Sequence, residues 1–473
     1  MTVLDQNKAH HRFFEELTKI PHGSHEEKQM SDFLVNFAKE RGLDYYQDDI
    51  YNVIIYKKAT AGYEDHPTIM IQAHMDMVCE KNEGVEHDFE KDPIDMILED
   101  GILRANGTTL GADDGAGVAY MLAILDDATI AHPALECLFT VQEETTMEGA
   151  MQIDPAKISA RRLINVDSEK ENFSITSSCG GTDWYVCKDV EEKEVNKEGY
   201  KLVITGLTGG HSGSMIHMGK GNSIQLASRM LYKVAKEMKV NLSTMVTNGK
   251  VNAIPRECEV VFTCEGDPTA ILAKEAKDIQ GELEFTDNGF TYELTPVHVE
   301  KAMCGCESKK LFSLLHVMPN GMLMRSDAQD GLTVSSNNMG VAHVGNGKVM
   351  IEGSCRGNLT SYFMDTYAKI EALATAFGYE TQDQNYYPCW GYKANSPLRD
   401  AMVKAHKELY GFDMTLEGRH AGLECGIFDE KFPEMDIVTF GPTMNEVHSP
   451  SEWMSVPSFD KVFELLTLLL KSL

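Results

Sequence analysis

Three short apolar runs each stop on residues of the kind that bind cations, and this recurrence constrains the chain more than any other feature. Residues 69–73 run into His74, with Asp76 two positions on; 138–142 run into Glu143-Glu144; 163–166 run into Asp167. Residues i and i+2 of a strand share a face, so His74 and Asp76 lie close together just past a strand end. A carboxylate beside a metal-bound imidazole fixes its orientation and raises its basicity. Singly, each run has a plainer account: a strand-end histidine beside a solvated aspartate, or an exposed acidic loop. Helical patterns alternate with these strands, which predicts a mainly parallel α/β sheet. In such sheets ligands gather at the carboxyl ends of the strands.

The remaining pattern fills in that frame. Helices are predicted at 7–20 and, opened by a capping box at Ser24-His25-Glu26-Glu27, on to Gly42. A strand at 51–56, a hairpin at 94–102 and a helix at 118–125 follow. The glycine-rich stretch 107–117 predicts a tight turn into that helix, and its Asp113-Asp114 pair either caps the helix dipole or belongs with the cation-binding residues. After Gly180-Gly181 the character changes. Strands at 200–206, 242–247, 257–264 and 289–297, and a hairpin turning at Gly345-Asn346-Gly347, alternate with helices at 222–238, 268–283, 307–317 and 362–376. This predicts an α/β domain at 185–386 inserted between catalytic-domain segments 1–184 and 387–473, with Tyr386-Tyr387-Pro388 as the return linker. Helices at 396–409 and 458–470 and a strand at 437–440 complete the first domain, and the loop 445–450 supplies His448.

The chain has 473 residues, more than one ordinary core holds. Its formal charge of −30 argues against nucleic-acid or anionic-membrane partners, which need basic patches. Residues 1–6 show no basic segment leading into an apolar one, so no signal peptide is expected. No apolar run reaches the roughly 18 residues of a membrane span. Eleven scattered cysteines, including the C-x-C pair Cys304 and Cys306, predict reduced thiols and a cytoplasmic location.

His74, Asp113, Glu144, Asp167 and His448 together offer two imidazoles and three carboxylates, a set that suits Zn²⁺, Mn²⁺ or Co²⁺. Five ligands exceed the needs of one tetrahedral ion that also holds water. They fit two ions about 3.5–4 Å apart that share a carboxylate. Glu143 is then left free to take a proton from an activated water and pass it to a leaving amine.

HMDMV at 74–78, GADDGAG at 111–117, VQEE at 141–144, NVDSE at 165–169, GGHSG at 209–213 and VHSPSEW at 447–453 resemble the co-catalytic zinc peptidases related to aminoacylase and carnosinase. GTTLGADDGAG, IHMGKGN at 216–222 and HAGLECG at 420–426 resemble the branch that cleaves Xaa-His dipeptides. The resemblance spans the whole chain. It implies a zinc-aminopeptidase-like mixed sheet flanked by helices, with an inserted α/β lid of the dimerisation type. It implies that His74 and Asp167 bind one ion, Glu144 and His448 the other, and Asp113 both, with Asp114 following across a strained peptide. Asp76 would orient His74, and Glu143 would be the general base and acid.

By the same resemblance, His211 stabilises the oxyanion and in several relatives reaches across from a partner subunit, which implies a homodimer. Read from the residues alone, His211 is a histidine in a glycine-rich loop. Arg356 and Asn252 are candidates for the substrate's C-terminal carboxylate, although an arginine on a strand is also commonly solvated. Glu424 either faces the substrate amine or is a structural carboxylate. An aspartate at 167 accompanies dipeptidase or aminopeptidase activity in this family. The expectation is a di-metal dipeptidase acting between two domains on unblocked Xaa-His dipeptides, β-alanyl-histidine among them, and on broader dipeptides. The alternatives are an N-acyl-amino-acid amidohydrolase of the same fold and a non-catalytic peptide- or metal-binding protein.

Overall fold

All six residues of the strand Ile69–His74 are buried, as expected of a strand covered on both faces. A computed structural model, which describes residues 2–329 and 331–473, places this strand in the middle of an eight-stranded sheet. The order across it is Asp44–Gln47, Val53–Lys57, Leu135–Thr140, Ile69–His74, Arg162–Asn165, Asp436–Thr439, Phe173–Ser178 and Thr415–Arg419. The third to sixth strands run parallel. The first two pair antiparallel with each other and with the third, and Phe173–Ser178 is antiparallel to Asp436–Thr439. The sheet is therefore mixed, with a parallel centre, rather than mainly parallel. Only the short segment 48–52 joins its first two strands, which suits a hairpin and not the long crossover a parallel pair needs.

This sheet belongs to a compact unit of residues 1–177, 391–418 and 424–473. Its helix Ala112–Asp126 is buried from Ala116 to Leu125, as an all-round apolar helix must be. It packs on the strand Ile69–His74 and the helix Ala9–Leu17. Lys8, His10 and His11 all bond Asp460 of the helix Val456–Ser472, at 2.6, 2.9 and 2.8 Å. Burial lowers the pKa of His10 to about 4, so its ring is neutral there.

The second unit comprises residues 178–390 and 419–423. Its nine-stranded sheet is antiparallel throughout its pairings. The helices Ser223–Glu237, Thr269–Glu282, Gly305–Val317 and Thr360–Phe377 contribute to its apolar core. Tyr386 and Tyr387 close the strand Glu380–Tyr387 and so are not a linker. The eleven cysteines are free thiols, and Cys304 precedes the first turn of Gly305–Val317.

The capping box is not formed. The helix Lys28–Arg41 starts without a side-chain cap. The Ser24 hydroxyl donates instead to Asp76 Oδ2 at 2.8 Å, and Glu27 Oε1 accepts the N–H of Gln142 at 3.1 Å. Both side chains serve the loops beyond the strand ends, which outbid the local helix. Among the described residues no helix is long and apolar enough to cross a membrane.

Candidate metal centre

His74 is the last residue of its strand and is 1% exposed. Its Nδ1 lies 3.0 Å from the Asp76 carbonyl oxygen and so donates to it. The other nitrogen, Nε2, lies 3.1 Å from Asp113 Oδ1. With Nδ1 already a donor, Nε2 facing a carboxylate oxygen carries a proton or shares a cation with it. The second oxygen of Asp113 lies 3.3 Å from His448 Nε2, and that nitrogen is 2.9 Å from Glu144 Oε2. Asp113 thus divides its two oxygens between two imidazoles.

Of three sets of ligand-type atoms within 4.8 Å of one another among the described residues, two contain His74, one with Asp113 and Glu144 and one with Asp114 and Asp167; the third is His10, His11 and Asp460. Buried oxygens without a hydrogen-bond partner include Asp114 Oδ2 and Glu144 Oε1. Burial raises the carboxyl pKa of Glu143, Asp114 and Asp167 well above the usual range. Burial also pushes Asp113 upward, but the bonds from His448 and His74 outweigh it and hold that carboxyl low. Bonds from Asp113 and Glu144 raise His448 to about 11. Crowded acids, imidazoles that carry shared protons, and orphaned acceptor oxygens are what a site for divalent cations presents.

A second layer of bonds holds these groups. Asp76, 1% exposed, has Oδ1 3.5 Å from His74 Nδ1. Its Oδ1 also accepts the N–H of Glu143 at 3.0 Å and its Oδ2 that of Glu144 at 3.3 Å. That carboxylate holds the Glu143-Glu144 turn beside His74, while the hydrogen bond of His74 Nδ1 goes to the Asp76 carbonyl. The Glu452 carboxylate accepts the N–H groups of Leu110, Gly111 and Ala112 at 2.7, 3.1 and 2.8 Å. It ties the loop of His448 to the turn that presents Asp113. Gln142 and His448 hold left-handed backbone, φ 58° and 62°, conformations that cluster where side chains are aimed at a site. The Asp113–Asp114 peptide bond is cis.

The structure brings together His74, Asp76, Asp113, Glu143, Glu144, Asp167 and His448. It adds Asp114, Ser24, Glu27 and Glu452. Of these, Asp114 carried a signal in the sequence as the neighbour of Asp113, Ser24 and Glu27 read there as a capping box, and Glu452 lay in the VHSPSEW stretch without a role. Glu424 is 0% exposed. Its Oε2 accepts from Gln72 Nε2 at 2.6 Å and Thr140 Oγ1 at 2.9 Å, and burial raises its carboxyl pKa to about 7.

The other candidates lie in the second unit. His211 Nδ1 accepts the backbone N–H groups of Gly213 and Ser214, each at 3.1 Å. Backbone amides can only donate, so the neutral ring holds its proton on Nε2, the nitrogen left for a partner. Burial and the Arg356 guanidinium lower its pKa. The strand Gly210–His211 pairs with Ala253–Ile254, and Asn252 accepts the Ser212 N–H at 2.9 Å, so His211 and Asn252 are neighbours. Arg356 Nη1 donates to Tyr387 Oη at 2.6 Å, and its Nε is buried without a partner. His420, absent from the sequence-based set, bonds Ser336 Oγ at 2.7 Å and Asn358 Oδ1 at 3.3 Å. Burial, then Arg356, lowers its pKa to about 3.

Comparison with known proteins agrees with this chemistry. The family model for peptidase family M20/M25/M40 matches residues 70–472. The chain belongs to that family. It is a hydrolase of the metallopeptidase class. This M20-type chain is 36% identical over 467 residues to the cytosol non-specific dipeptidase of Escherichia coli, covering 97% of this chain and 96% of that one. It superimposes on the aminoacylhistidine dipeptidase of Vibrio alginolyticus with TM-score 0.93 and 30% identity, over 100% and 98% of the two chains. An aminopeptidase of Bacillus cereus shares the fold, with TM-score 0.57 and 16% identity over 99% of each chain. The mixed α/β architecture with a separate lid domain is that of the family.

Proposed function

We propose that this protein is a dipeptidase that hydrolyses unblocked dipeptides, Xaa-His dipeptides of the β-alanyl-histidine type among them, with two divalent ions held by His74, Asp113, Glu144, Asp167 and His448. The observation that carries this reading is the Asp113 carboxylate, set between His74 Nε2 at 3.1 Å and His448 Nε2 at 3.3 Å. The relatives support the substrate class, since one is named a non-specific dipeptidase and the other an aminoacylhistidine dipeptidase. Zn²⁺ suits a donor set of imidazoles and carboxylates, and Co²⁺ or Mn²⁺ would also fit it.

Held there, such ions polarise a carbonyl and lower the pKa of water. The residues do the rest. Glu143, half-buried and with a raised pKa, takes the proton of the attacking water and delivers it to the leaving amine. Asp76 keeps His74 and the Glu143 backbone in place. His211 offers its Nε2–H to the oxyanion, and Arg356 and Asn252 hold the substrate carboxylate. The location is cytoplasmic, in keeping with the name of the E. coli relative. The state is a homodimer, which the apolar surface of Met322, Leu323 and Met324, 40–45% exposed, supports.

The test is hydrolysis by chelated protein, with and without added Zn²⁺, Co²⁺ or Mn²⁺. The panel is β-Ala-His, Gly-His, Ala-Ala, Gly-Gly-Gly and an N-acetyl amino acid. Metal-dependent cleavage of the free dipeptides is expected. Cleavage of the acetylated compound alone would instead make the protein an amidohydrolase.

A further inference from the structure

Gln72 and His74, two residues apart on one strand, project from the same face of the sheet. In the parallel ladders Thr140 stands opposite His74 and Asn165 opposite Gln72. On that face Glu424 Oε2 accepts from both Gln72 and Thr140. Gln72 Oε1 in turn accepts from Asn165 Nδ2 at 2.7 Å. One carboxylate thus ties together the three parallel strands that end at His74, lead to Glu143-Glu144 and lead to Asp167.

The other oxygen of that carboxylate, Oε1, is buried and has no partner. A buried carboxylate oxygen without a donor is costly. An amide would satisfy Gln72 and Thr140 equally well, so the hydrogen bonds do not account for an acid. The charge does. Glu424 lies within electrostatic reach of His74 and Asp76, of Glu143 and of Asp167. A further carboxylate among so many acids carries its charge favourably only when a cation joins them.

We propose that Glu424 is a positioning residue of the metal centre: a buried carboxylate, bonded to Gln72 and Thr140, that strengthens divalent-cation binding from behind the ligands without touching substrate. This rests on the metal-centre reading above.

Glu424→Gln is isosteric and keeps both accepted bonds, so it removes the charge alone. Zn²⁺ affinity is read by competition with a chromophoric chelator, and dipeptide kinetics are read at saturating Zn²⁺. The expected result is binding weaker by about 10–100-fold, the usual cost of losing an outer partner, with KM within about 2-fold of the parent. Zn²⁺ affinity unchanged within about 2-fold overturns the proposal. So does a KM raised 10-fold or more with affinity intact, because Glu424 would then face the substrate. Should Glu424→Gln not fold, Glu424→Met removes the charge at similar volume, and unchanged Zn²⁺ affinity in that variant overturns the proposal equally. A parent that binds Zn²⁺ but cleaves no dipeptide would sink the dipeptidase reading and leave this one standing.

Discussion

Around His74 the acids outnumber the cations: Asp76, Asp113, Asp114, Glu143, Glu144, Asp167 and Glu424 surround two imidazoles. Around His211 the charged neighbour is Arg356, and His211 and His420 both have lowered pKa values in its presence. The first region bonds its carboxylates to backbone N–H groups and keeps protons on or near its histidines. The second does the reverse, since His211 uses Nδ1 as an acceptor and presents an N–H. One region is short of positive charge and the other of negative charge. On the proposed function, cations go to the first and the anionic parts of a substrate or intermediate to the second.

Substitutions can break this contrast, and the largest effect belongs to the acid-rich region. Glu143→Ala should lower kcat by about 10²–10⁴-fold, the range of general acid–base catalysis, with metal content near that of the parent. Substantial residual turnover by metal-loaded protein would remove Glu143 from the role. In the region of Arg356, His211→Ala should cost about 10²–10³-fold in kcat, as loss of one oxyanion donor does, and leave Zn²⁺ affinity unchanged. A drop in Zn²⁺ affinity would show that the two regions are not divided as argued.

Smaller effects sharpen the picture. Asp76→Asn keeps the volume but puts a donor where Glu143 and Glu144 also donate. Its cost should be about 10–100-fold in metal affinity or turnover, separable by titration and by assay at saturating metal. Glu452→Gln should lower unfolding stability by about 2 kcal/mol, because three backbone N–H groups lose a charged acceptor. Urea denaturation measures this, and an unchanged midpoint would mean the Asp113 turn holds without it.

A further expected effect is one of pH, away from either region. Folding depresses the His10 pKa from 6.5 to about 4, so between these values the unfolded chain binds the extra proton. The stability tied to neutral His10 is complete above pH 6.5 and is lost as pH falls towards about 4. The size is on the order of 3 kcal/mol, and His10→Gln should flatten the urea-midpoint profile across that window. An equally steep profile in the variant would place the proton uptake elsewhere.

The acid-rich region was the more legible of the two in the sequence. His74, Glu143-Glu144 and Asp167 follow apolar runs, and strand polarity collects such residues at one end of a parallel sheet. The alternating elements also revealed a second set of strands and helices after Gly180-Gly181. Legibility failed where a side chain's partner is distant in sequence. Ser24-His25-Glu26-Glu27 matches a capping box, yet Ser24 bonds Asp76 and Glu27 bonds Gln142. Asp76 read as a partner of His74 alone, because its bonds to Glu143 and Glu144 span 67 and 68 residues. Gln72 gave no signal, since a lone glutamine has no spacing that marks it, and Glu452 stood in the VHSPSEW stretch with nothing to show that it bonds residues 110–112.

By itself, the sequence determined which residues stand at strand ends, because hydrophobic periodicity is local and every apolar run must stop somewhere. It also determined the chemical type of the cluster, since imidazoles and carboxylates without cysteine are a property of composition. Only the tertiary structure decided which oxygen of Asp113 meets which imidazole, and that Glu424 lies buried on the sheet face that carries Gln72 and His74. Those outcomes depend on distances of about 3 Å between segments from 39 to 352 residues apart. Packing sets such distances, and no local pattern encodes them.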